Sequence, residues 1–440
     1  MIRKYVLLLL ILLPFRLFSQ EPMRMRQCLE LGLERNFDIR MVRNEQRISD
    51  NNYTIGNAGF LPTIDLSGDY SGKLGNNIQE NTSEAVRLET HDKFDQTLNA
   101  GIYINWTIFN GMLVQVNYKQ LEMFQQMGAL NTRLTIENFM ANILSEYFNC
   151  IQQNIRLENL KTTLRLSKDR LRIVEERYII GAGSGLELQQ AKVDFNADSS
   201  LFMQQQENLF ASQIKLNELI AADNIEQILS IKDSTITIDK FLDRETIWQH
   251  VLRSNTFLLL SDKNIKISQL DLKSAKSENY PYLRLSASYA YDYNKLEQVV
   301  YDRQQNWGLN YSVTMGIKLF DGMNRSLRQK NAQIELENKK LDKEKLEAEI
   351  KSDFANTWMR YNNNLERTNL ETVNVKLARE TYQAASNRYL LGDLSGIELR
   401  EIQTSLLNAE ERLVETLYNT KLCEILLMQI SGQITRYLNE

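Results

Sequence analysis

A long segment of this chain occurs twice. Arg177–Leu188 reads R-Y-I-I-G-A-G-S-G-L-E-L, and 211 residues later Arg388–Leu399 reads R-Y-L-L-G-D-L-S-G-I-E-L. The same offset relates F-N-G at Phe109–Gly111 to F-D-G at Phe320–Gly322. Solenoids stack several short units, whereas here a long unit occurs only twice. The sequence therefore predicts two long arms related by an internal two-fold repeat.

The boundaries of the repeat follow from the same offsets. Upstream of the F-x-G elements, Pro62 and Pro281 are 219 residues apart, so a segment of variable length, typical of a loop, lies between the prolines and those elements. A stretch with isoleucines among polar neighbours marks the junction. We divide the chain into a first repeat (20–222), a junction (223–242) and a second repeat (243–440).

Two proline-free stretches, 112–180 and 323–391, predict very long helices. At 1.5 Å rise per residue, each spans roughly 100 Å. Helices of this length are typical of coiled coils, whose seam repeats every seven residues. The second stretch has such a series: Leu327, Ile334, Leu341, Ala348 and Ala355.

The N-terminus has a basic start, a short apolar run and a small residue at a plausible cleavage point. These features predict a secretory signal peptide over residues 1–19. The apolar run Tyr5–Leu13 is shorter than the roughly 20 residues that a membrane-spanning helix needs, and no other segment approaches that length. Removal of residues 1–19 takes three basic residues and moves the formal charge from −4 to −7. With this charge we expect no nucleic acid partner.

Few residues are placed for catalysis. Cys28, Cys150 and Cys423 are odd in number and lack metal or redox spacing, so we expect buried thiols rather than disulfides. The only histidines, His91 in a predicted exposed loop and His250 in a predicted helix, have no metal or nucleophile partner at useful spacing. The sequence therefore predicts no enzyme activity, no cofactor and no metal site.

Four segments alternate between apolar and polar residues, at about 62–72, 96–109, 281–293 and 307–320, and form two predicted hairpins. Such strands, with aromatics near their ends, fit transmembrane β-strands that face lipid on one side and a wet lumen on the other. The alternative is a soluble sheet with one buried face. Because no other compact domain is evident to cover two isolated hairpins, the membrane interpretation is favoured.

A membrane sheet must close, because unpaired backbone groups in hydrocarbon cost several kcal/mol each. Four strands are too few for a barrel, so the barrel must be shared between chains. A dimer gives eight strands and a filled interior, whereas a trimer gives twelve strands and room for a lumen. A conducting function favours the trimer. The segments 73–94 and 294–306 are then predicted to be surface loops.

Both copies of the repeated segment fit the pattern R-Y-x-x-G-x-x-S/T-x-x-D/E-L. The matching residues are Arg177, Tyr178, Gly181, Ser184, Glu187 and Leu188, and then Arg388, Tyr389, Gly392, Ser395, Glu398 and Leu399. On these residues the chain resembles the TolC-like outer membrane efflux protein family over essentially its whole mature length. The resemblance implies an α+β membrane protein: a homotrimer with a twelve-stranded transmembrane β-barrel, four strands from each chain, continuous with a long periplasmic α-helical coiled-coil barrel.

In each repeat the resemblance implies the order helix, strand, strand, long helix, tip turn, helix. The tip turns are Gly181–Gly185 and Gly392–Gly396. Read as local structure alone, a glycine with positive φ ends each long helix. A serine then caps the returning helix, and a glutamate follows in capping-box register: Ser184 with Glu187, and Ser395 with Glu398.

The resemblance further implies that the tip turns close the inner end of the tunnel and meet a periplasmic adaptor protein. Glu398 and Glu401 stand where acidic residues ring the aperture in this family. Three copies of each place up to six carboxylates around a narrow opening, where repulsion between like charges raises some pKa values.

A gate latch is also implied by the resemblance. Glu187 corresponds to its acidic residue and Tyr389 to the tyrosine that this residue bonds. The position of the latch arginine, two residues past the glycine, is occupied by Leu394. Arg388 and Arg400 are candidates to replace the missing arginine.

The function implied is a passive exit duct of a tripartite efflux or type I secretion system in the outer membrane, with a periplasmic extension. Its expected partners are two further copies of the chain, a periplasmic adaptor, an inner-membrane pump of the RND, ABC or MFS type, and outer membrane lipid. The alternative is a structural or adhesive outer membrane protein that conducts nothing. The sequence does not identify the substrate.

Overall fold

The structure is a computed structural model that describes residues 23–81, 86–295 and 303–439. The predicted signal peptide, residues 1–19, lies outside the described residues, as does the middle of the predicted loop 294–306. Within the described residues, none of the helices combines the length and apolar character needed to cross a membrane.

Helices dominate the chain, and the strands form two hairpins. In chain order the elements are α1 (Met25–Arg35), α2 (Phe37–Asn52), α3 (Ile55–Ala58), β1 (Thr63–Asn81), β2 (Val86–Asn110), α4 (Leu113–Ile179), α5 (Gly185–Leu219), α6 (Arg244–Ser254), α7 (Thr256–Ser277), β3 (Tyr282–Lys295), β4 (Arg303–Gly316), α8 (Asn324–Leu390), α9 (Gly396–Ile430) and a 3-10 helix (Ile434–Leu438). This is the predicted order of elements in both repeats.

The chain forms two compact units. The sheet unit comprises Asn44–Asn131 and Leu259–Leu346. Among the described residues, the tip unit comprises 23–43, Thr132–Leu258 and 347–439. Each unit therefore takes segments from both repeats, so that the duplicated halves share their cores instead of folding as two separate domains.

In the sheet unit, the four strands form one antiparallel sheet in the order β1-β2-β3-β4. Apolar residues of all four strands lie in register on one face, as in the row Leu66, Ile102, Tyr289 and Leu309. These four side chains are 48–83% exposed. The other face is polar, with Asn99 Nδ2 donating to Asp292 Oδ1 at 2.6 Å. The predicted two-faced alternation is therefore present, and its apolar face is not covered by the sheet unit.

The strand boundaries differ from the prediction in the first hairpin. β1 continues to Asn81 and β2 begins at Val86, so most of the predicted loop 73–94 is a two-stranded ribbon, and His91 lies on a strand. The ribbon was missed because Asn, Glu and Thr do not alternate with apolar residues there. Backbone pairing between the two strands holds it, with a bulge near Gly75.

In the second hairpin, β4 begins earlier than predicted and ends at Gly316 instead of residue 320. Ile317 and Leu319 continue the alternation, yet the last ladder pair is Tyr282 with Gly316. Pro281 precedes Tyr282 and has no N–H to extend the ladder. The alternating pattern therefore predicted a longer strand than the structure has, because β4 ends where its partner β3 begins.

The two longest helices, α4 and α8, have 67 residues each, as predicted from the proline-free stretches. The predicted heptad series on α8 faces away from the rest of the chain, because Leu327, Ile334 and Leu341 are more than half exposed. Within the chain, α8 buries Phe354, Tyr361, Thr368, Val375 and Tyr389, which are spaced by multiples of seven. The role of the predicted series as a coiled-coil seam stays a prediction.

Within the tip unit, α4 with α5 forms a first coil and α8 with α9 a second coil. Gln205 on α5 donates to the backbone of Gln153 on α4 at 2.9 Å, and Arg379 on α8 bonds Glu410 on α9 at 2.7 Å. The two coils share an apolar core far from the tip turns. Its large buried residues on α4 and α9 include Phe139, Met140, Ile143, Leu144, Tyr147, Ile151, Ile425, Leu427 and Met428.

The three cysteines are buried and free, as predicted. Burial raises the pKa of Cys28 and of Cys150 to about 12. These thiols are therefore protonated and unreactive at neutral pH.

Candidate functional site

Each tip turn ends its 67-residue helix with the same backbone motif. In the first turn the amide of Gly181 donates to the carbonyl of Tyr178 at 3.0 Å, and the amide of Ala182 to that of Arg177 at 2.8 Å. The corresponding bonds of the second turn measure 3.1 and 3.0 Å. Gly181 has φ +77° and Gly392 has φ +85°. This is a Schellman motif, which explains why the glycine of R-Y-x-x-G is present in both copies.

The returning helices are capped differently. Ser184 Oγ accepts the amide of Glu187 at 3.2 Å, and Ser395 Oγ accepts the amide of Glu398 at the same distance. Only in the second turn does the glutamate complete the capping box, with Glu398 Oε2 accepting from the Ser395 amide at 2.9 Å and hydroxyl at 2.8 Å. The hydrogen bond from the Ser395 amide, followed by that from its hydroxyl, lowers the pKa of Glu398.

The tyrosine of the second turn is a core residue. Tyr389 is 2% exposed and packs in a small cluster with Val174, Ala191, Ala385 and Leu399, drawn from all four helices of the two coils. Burial, and next the charge of the nearby Glu187 carboxylate, raises its pKa. Among the described residues its hydroxyl has no hydrogen-bond partner of normal geometry. The two predicted latch residues lie close to one another, and their interaction raises the pKa of Tyr389 without a hydrogen bond of normal geometry.

The arginine of the first turn reaches across to this tyrosine. Arg177 donates to the backbone oxygen of Tyr389 at 3.0 Å, and its guanidinium lies 4.8 Å from the centroid of the Tyr389 ring. The equivalent Arg388 bonds Asp393 in its own turn at 3.0 Å, where both side chains are more than half exposed. Tyr178, the equivalent of Tyr389, is 49% exposed. Equivalent residues of the two turns therefore make different contacts.

A cavity of about 790 Å³ lies between the tip turns. It brings together Glu187, Glu401, Tyr389 and Leu394. Glu398 does not line it, because its carboxylate is held by Ser395. The structure thus brings three of the four predicted gate residues to one cavity and places the fourth in a helix cap beside it.

The cavity wall contains two paired arginines: Arg170, which no sequence pattern indicated, and Arg400, which was a candidate to replace the missing latch arginine. Arg170 pairs with Asp194, and Arg400 pairs with Asp198 with two bonds of 2.7 Å. A sequence signal was available for Asp198. α5 buries one residue in every seven, in the series Ala191, Asp198, Gln205 and Ser212. A carboxylate within a heptad seam needs a partner, and this requirement points to a buried ion pair.

Large apolar side chains project from both turns into solvent. The exposed fractions are 80% for Ile179, 77% for Ile180 and 82% for Leu186 in the first turn. In the second turn the equivalent residues have fractions of 58% for Leu390, 85% for Leu391 and 76% for Ile397. Clustered exposed apolar residues of this size mark surfaces that bind a partner.

Solved structures with this fold are outer membrane channels. The outer-membrane channel OprN has a TM-score of 0.75 at 16% identity, covering 93% of this chain and 90% of that chain. The CmeC outer membrane channel of Campylobacter jejuni has a TM-score of 0.75 at 15% identity, covering 93% and 85%. The fold is that of the trimeric outer membrane channels, α+β with four strands in each chain, as predicted.

Sequence comparison identifies the family. The profile of the outer membrane efflux proteins matches residues 28–222 and 249–433. PrtF of Dickeya chrysanthemi, a protein named for protease secretion, is 20% identical over 434 residues, which cover 94% of this chain and 89% of that protein. The chain belongs to the outer membrane efflux protein family.

Membership confirms the predicted resemblance, the outer membrane location and the role of an exit duct in a tripartite system. The exposed apolar face of the sheet is the face that such a channel presents to lipid. The non-conducting alternative loses its support. The family consists of channel proteins, and no group of His, Cys, Asp or Glu within the described residues is placed to hold a metal ion.

Proposed function

We propose that the two tip turns form the periplasmic entrance of the duct, which a periplasmic adaptor binds and an inner-membrane pump of the RND, ABC or MFS type supplies. In this proposal residues 20–222 and 243–440 form the two repeats, and the junction 223–242 lies in a belt around the tunnel. Solute passes through the trimer without chemistry on this chain.

The exposed apolar residues of the tip turns carry the proposal. Two turns related by duplication each present three large apolar side chains, at least 58% exposed, beside a glycine. A helix terminus in water gains nothing from such residues, whereas the tip of a helical hairpin on a partner would bury them at about 25 cal/mol per Å². The contact surface we propose consists of the tip residues Arg177, Tyr178, Gly181, Ser184, Gly185, Arg388, Gly392, Ser395 and Gly396, together with the apolar residues between them.

Glu187, Tyr389, Glu398 and Glu401 form the gate in this proposal. Glu401 is exposed and lines the cavity between the turns, so its charge is available at the aperture. Glu398 adds a second acidic residue, and its hydrogen bonds with Ser395 keep it ionised. In a trimer these carboxylates give a narrow opening a negative field that favours cations and repels anions.

Photo-crosslinking in living cells tests adaptor binding. The crosslinker belongs at Ile180 and at Leu391, because replacing Ser184 or Ser395 would remove a helix cap. Phe241, in the junction and 94% exposed, is the matched control. We expect Ile180 and Leu391, but not Phe241, to capture one periplasmic protein, identified by mass spectrometry.

Capture of an adaptor whose pump is known then names the substrate class. Similarity to a protease secretion protein makes polypeptides a class to test beside small solutes. Intact trimers that capture no partner at either tip position, or the same partner at Phe241, would contradict docking at the tip turns.

A further inference from the structure

A buried ion pair joins the first coil to the second near the tip. Arg400 on α9 donates from both terminal nitrogens to the two carboxylate oxygens of Asp198 on α5, each at 2.7 Å. Asp198 is 1% exposed and the Arg400 side chain 24% exposed. The two residues are 202 positions apart and belong to different repeats. A planar guanidinium bonded twice to a carboxylate is the strongest pair that side chains form, and its geometry fixes the position of both helices.

A further bond to Asp198 comes from its own coil, and the residue that donates it is bonded across the coils in turn. Ser167 on α4 donates its hydroxyl to Asp198. Gln403 on α9 donates to Ser167 Oγ and to the backbone oxygen of Thr163, both at 3.2 Å. Ser167, Gln403 and Thr163 are all at most 6% exposed. The contact here is therefore a fully bonded polar layer, which we call the clamp layer (Thr163, Ser167, Asp198, Arg400 and Gln403).

The clamp layer differs from the contact between the coils farther from the tip, where the buried residues of α4 and α9 are large and apolar. Separating an apolar contact exposes apolar surface to water, and no new bonds offset that free-energy cost. Separating a polar layer exchanges protein hydrogen bonds for bonds to water, at a smaller net cost. For equal buried area, the clamp layer therefore costs less to separate than the apolar core.

The other positions considered for an ion pair between the coils at the tip do not form one. Leu394 stands at the position of the latch arginine, and Arg388 bonds Asp393 in its own turn. Arg177 reaches Tyr389 through a backbone oxygen and the face of the ring, without a carboxylate partner in that contact. A second ion pair between the coils, Arg156 with Glu411, lies farther from the tip and is 25–33% exposed.

We propose that the Asp198–Arg400 pair, within the clamp layer, is the bond that holds the two coils together in the closed tip of this chain. The proposal rests on the proposed function, in which the tip turns gate the duct. Opening separates α5 from α9 at this level. The hydrogen bonds between Asp198 and Arg400 are then replaced by hydrogen bonds to water. Adaptor binding at the tip supplies the free energy for that exchange. Arg400 is thus a positioning residue of the gate.

The test is single-channel recording of the purified full-length trimer in planar bilayers, with potassium chloride as the permeant salt. The variants are Arg400→Gln, Arg400→Lys and the isosteric Asp198→Asn, each alone, together with the double variant Asp198→Asn/Arg400→Gln. Arg379→Gln is the matched control, because it makes the same charge change at an ion pair within the second coil, where the Arg379 side chain is 61% exposed. Retention of heat-resistant trimers shows that each variant is assembled.

We expect Arg400→Gln and Asp198→Asn each to raise the fraction of time spent open by about tenfold or more, because a hydrogen bond to a charged group is worth that factor in an equilibrium. Arg400→Lys, which keeps the charge and loses the bidentate geometry, falls between these variants and the wild type. The double variant opens no more than the stronger single variant, because both changes remove one interaction. Arg379→Gln matches the wild type.

Two results overturn the proposal in distinguishable ways. If the wild type conducts and both Arg400→Gln and Asp198→Asn behave like Arg379→Gln, the clamp is refuted and the duct stands. If assembled trimers of every variant stay silent, including one with Glu398→Gln and Glu401→Gln, the gated duct is refuted, and the clamp with it.

Discussion

The two tip turns share a backbone but not the roles of their side chains. Both end a 67-residue helix in a Schellman motif with a glycine at positive φ, and a serine then caps the next helix. Yet Tyr389 is buried and Tyr178 is half exposed. Arg177 crosses to the other coil, whereas Arg388 stays in its own turn.

This difference shows that duplication preserves local backbone structure but not side-chain packing. Local bonds depend on a few neighbouring residues, so they were copied with the sequence. Packing depends on what surrounds each copy, and the surroundings differ because α4 and α8 occupy different positions in the four-helix tip. Gly183 stands where the second turn has Leu394, and a Cβ there would lie 3.1 Å from the Tyr178 amide. A side chain at Gly183 would therefore be crowded by the backbone of its own turn, whereas Leu394 packs against the tip cluster.

The largest expected difference between the turns concerns the tyrosines. Tyr389→Ala leaves a cavity in the tip cluster and costs about 3–5 kcal/mol locally. Tyr178→Ala removes a half-exposed ring and costs about 0.5 kcal/mol. Hydrogen exchange of the amides in the two turns, measured by mass spectrometry, gives both local opening free energies. Equal losses of protection would show that the two tyrosines are equivalent after all.

Replacing the glycines should remove the difference between the turns. Gly181→Ala and Gly392→Ala both put a Cβ on a residue with positive φ, and neither new methyl group meets an atom within 4 Å. We expect the same cost in both turns, about 1–2 kcal/mol, from backbone strain alone. Hydrogen exchange of the last turns of α4 and α8 measures it. Costs that differ by more than about tenfold in opening constant would mean that the shared backbone motif is not what holds the turns.

The helix caps should differ by a smaller amount. Ser184→Ala removes one cap bond from α5 and is expected to cost about 0.5–1 kcal/mol. Ser395→Ala removes the equivalent bond and also the bond from the Ser395 hydroxyl to Glu398 Oε2, so we expect about 1–2 kcal/mol at α9. Exchange rates of the first amides of each helix report both effects, and Ser→Thr, which keeps the hydroxyl, serves as the control at each position. An equal cost at the two serines would argue that the bond between the Ser395 hydroxyl and Glu398 contributes nothing.

Acidification should produce the smallest difference and should affect the second turn first. The pKa of Glu398 lies below its ordinary value of 4.5 because Ser395 bonds the ionised form. A lowered pKa in the folded state means that the stabilisation is present above pH about 4.5 and is lost as the pH falls through the folded value. Amide exchange at the start of α9, followed from pH 6 to pH 3 with correction for intrinsic rates, should rise relative to that at the start of α5.

Glu398→Gln is the control for the acidification experiment. It removes the titrating group, so the first amides of α9 should lose the acid-dependent change. If the variant keeps the wild-type pH dependence, a group other than Glu398 is responsible.

Most of the fold could be predicted from the sequence, because the signals are local and repeated. Two prolines and two F-x-G elements bracket the hairpins. The lack of proline in 112–180 and 323–391 predicted both 67-residue helices. The ends of the strands were harder to predict from the sequence. β1 and β2 continue through 73–94 without apolar alternation, since a ribbon needs only its partner strand to satisfy its backbone.

The residues of the candidate site also fall into those that the sequence could place and those that it could not. Gly181, Gly392, Ser184 and Ser395 could be placed from the motif, since each acts on atoms within five residues of itself. The gate roles of Glu187, Tyr389, Glu398 and Glu401 remain predictions. Arg400 stood among two candidates for a missing bond, and nothing near it in the sequence indicated its partner.

The sequence by itself determined the duplication, the lengths of the long helices, the two-faced strands and the backbone of both tip turns. The physical reason is range: helix propensity, strand alternation and turn geometry depend on residues that are neighbours in the chain. Only the tertiary structure decided which tyrosine is buried, which glutamate completes a capping box, and that Arg400 pairs with Asp198, 202 residues away. These choices depend on the packing of four helices from two repeats, where a copied residue meets surroundings that were not copied.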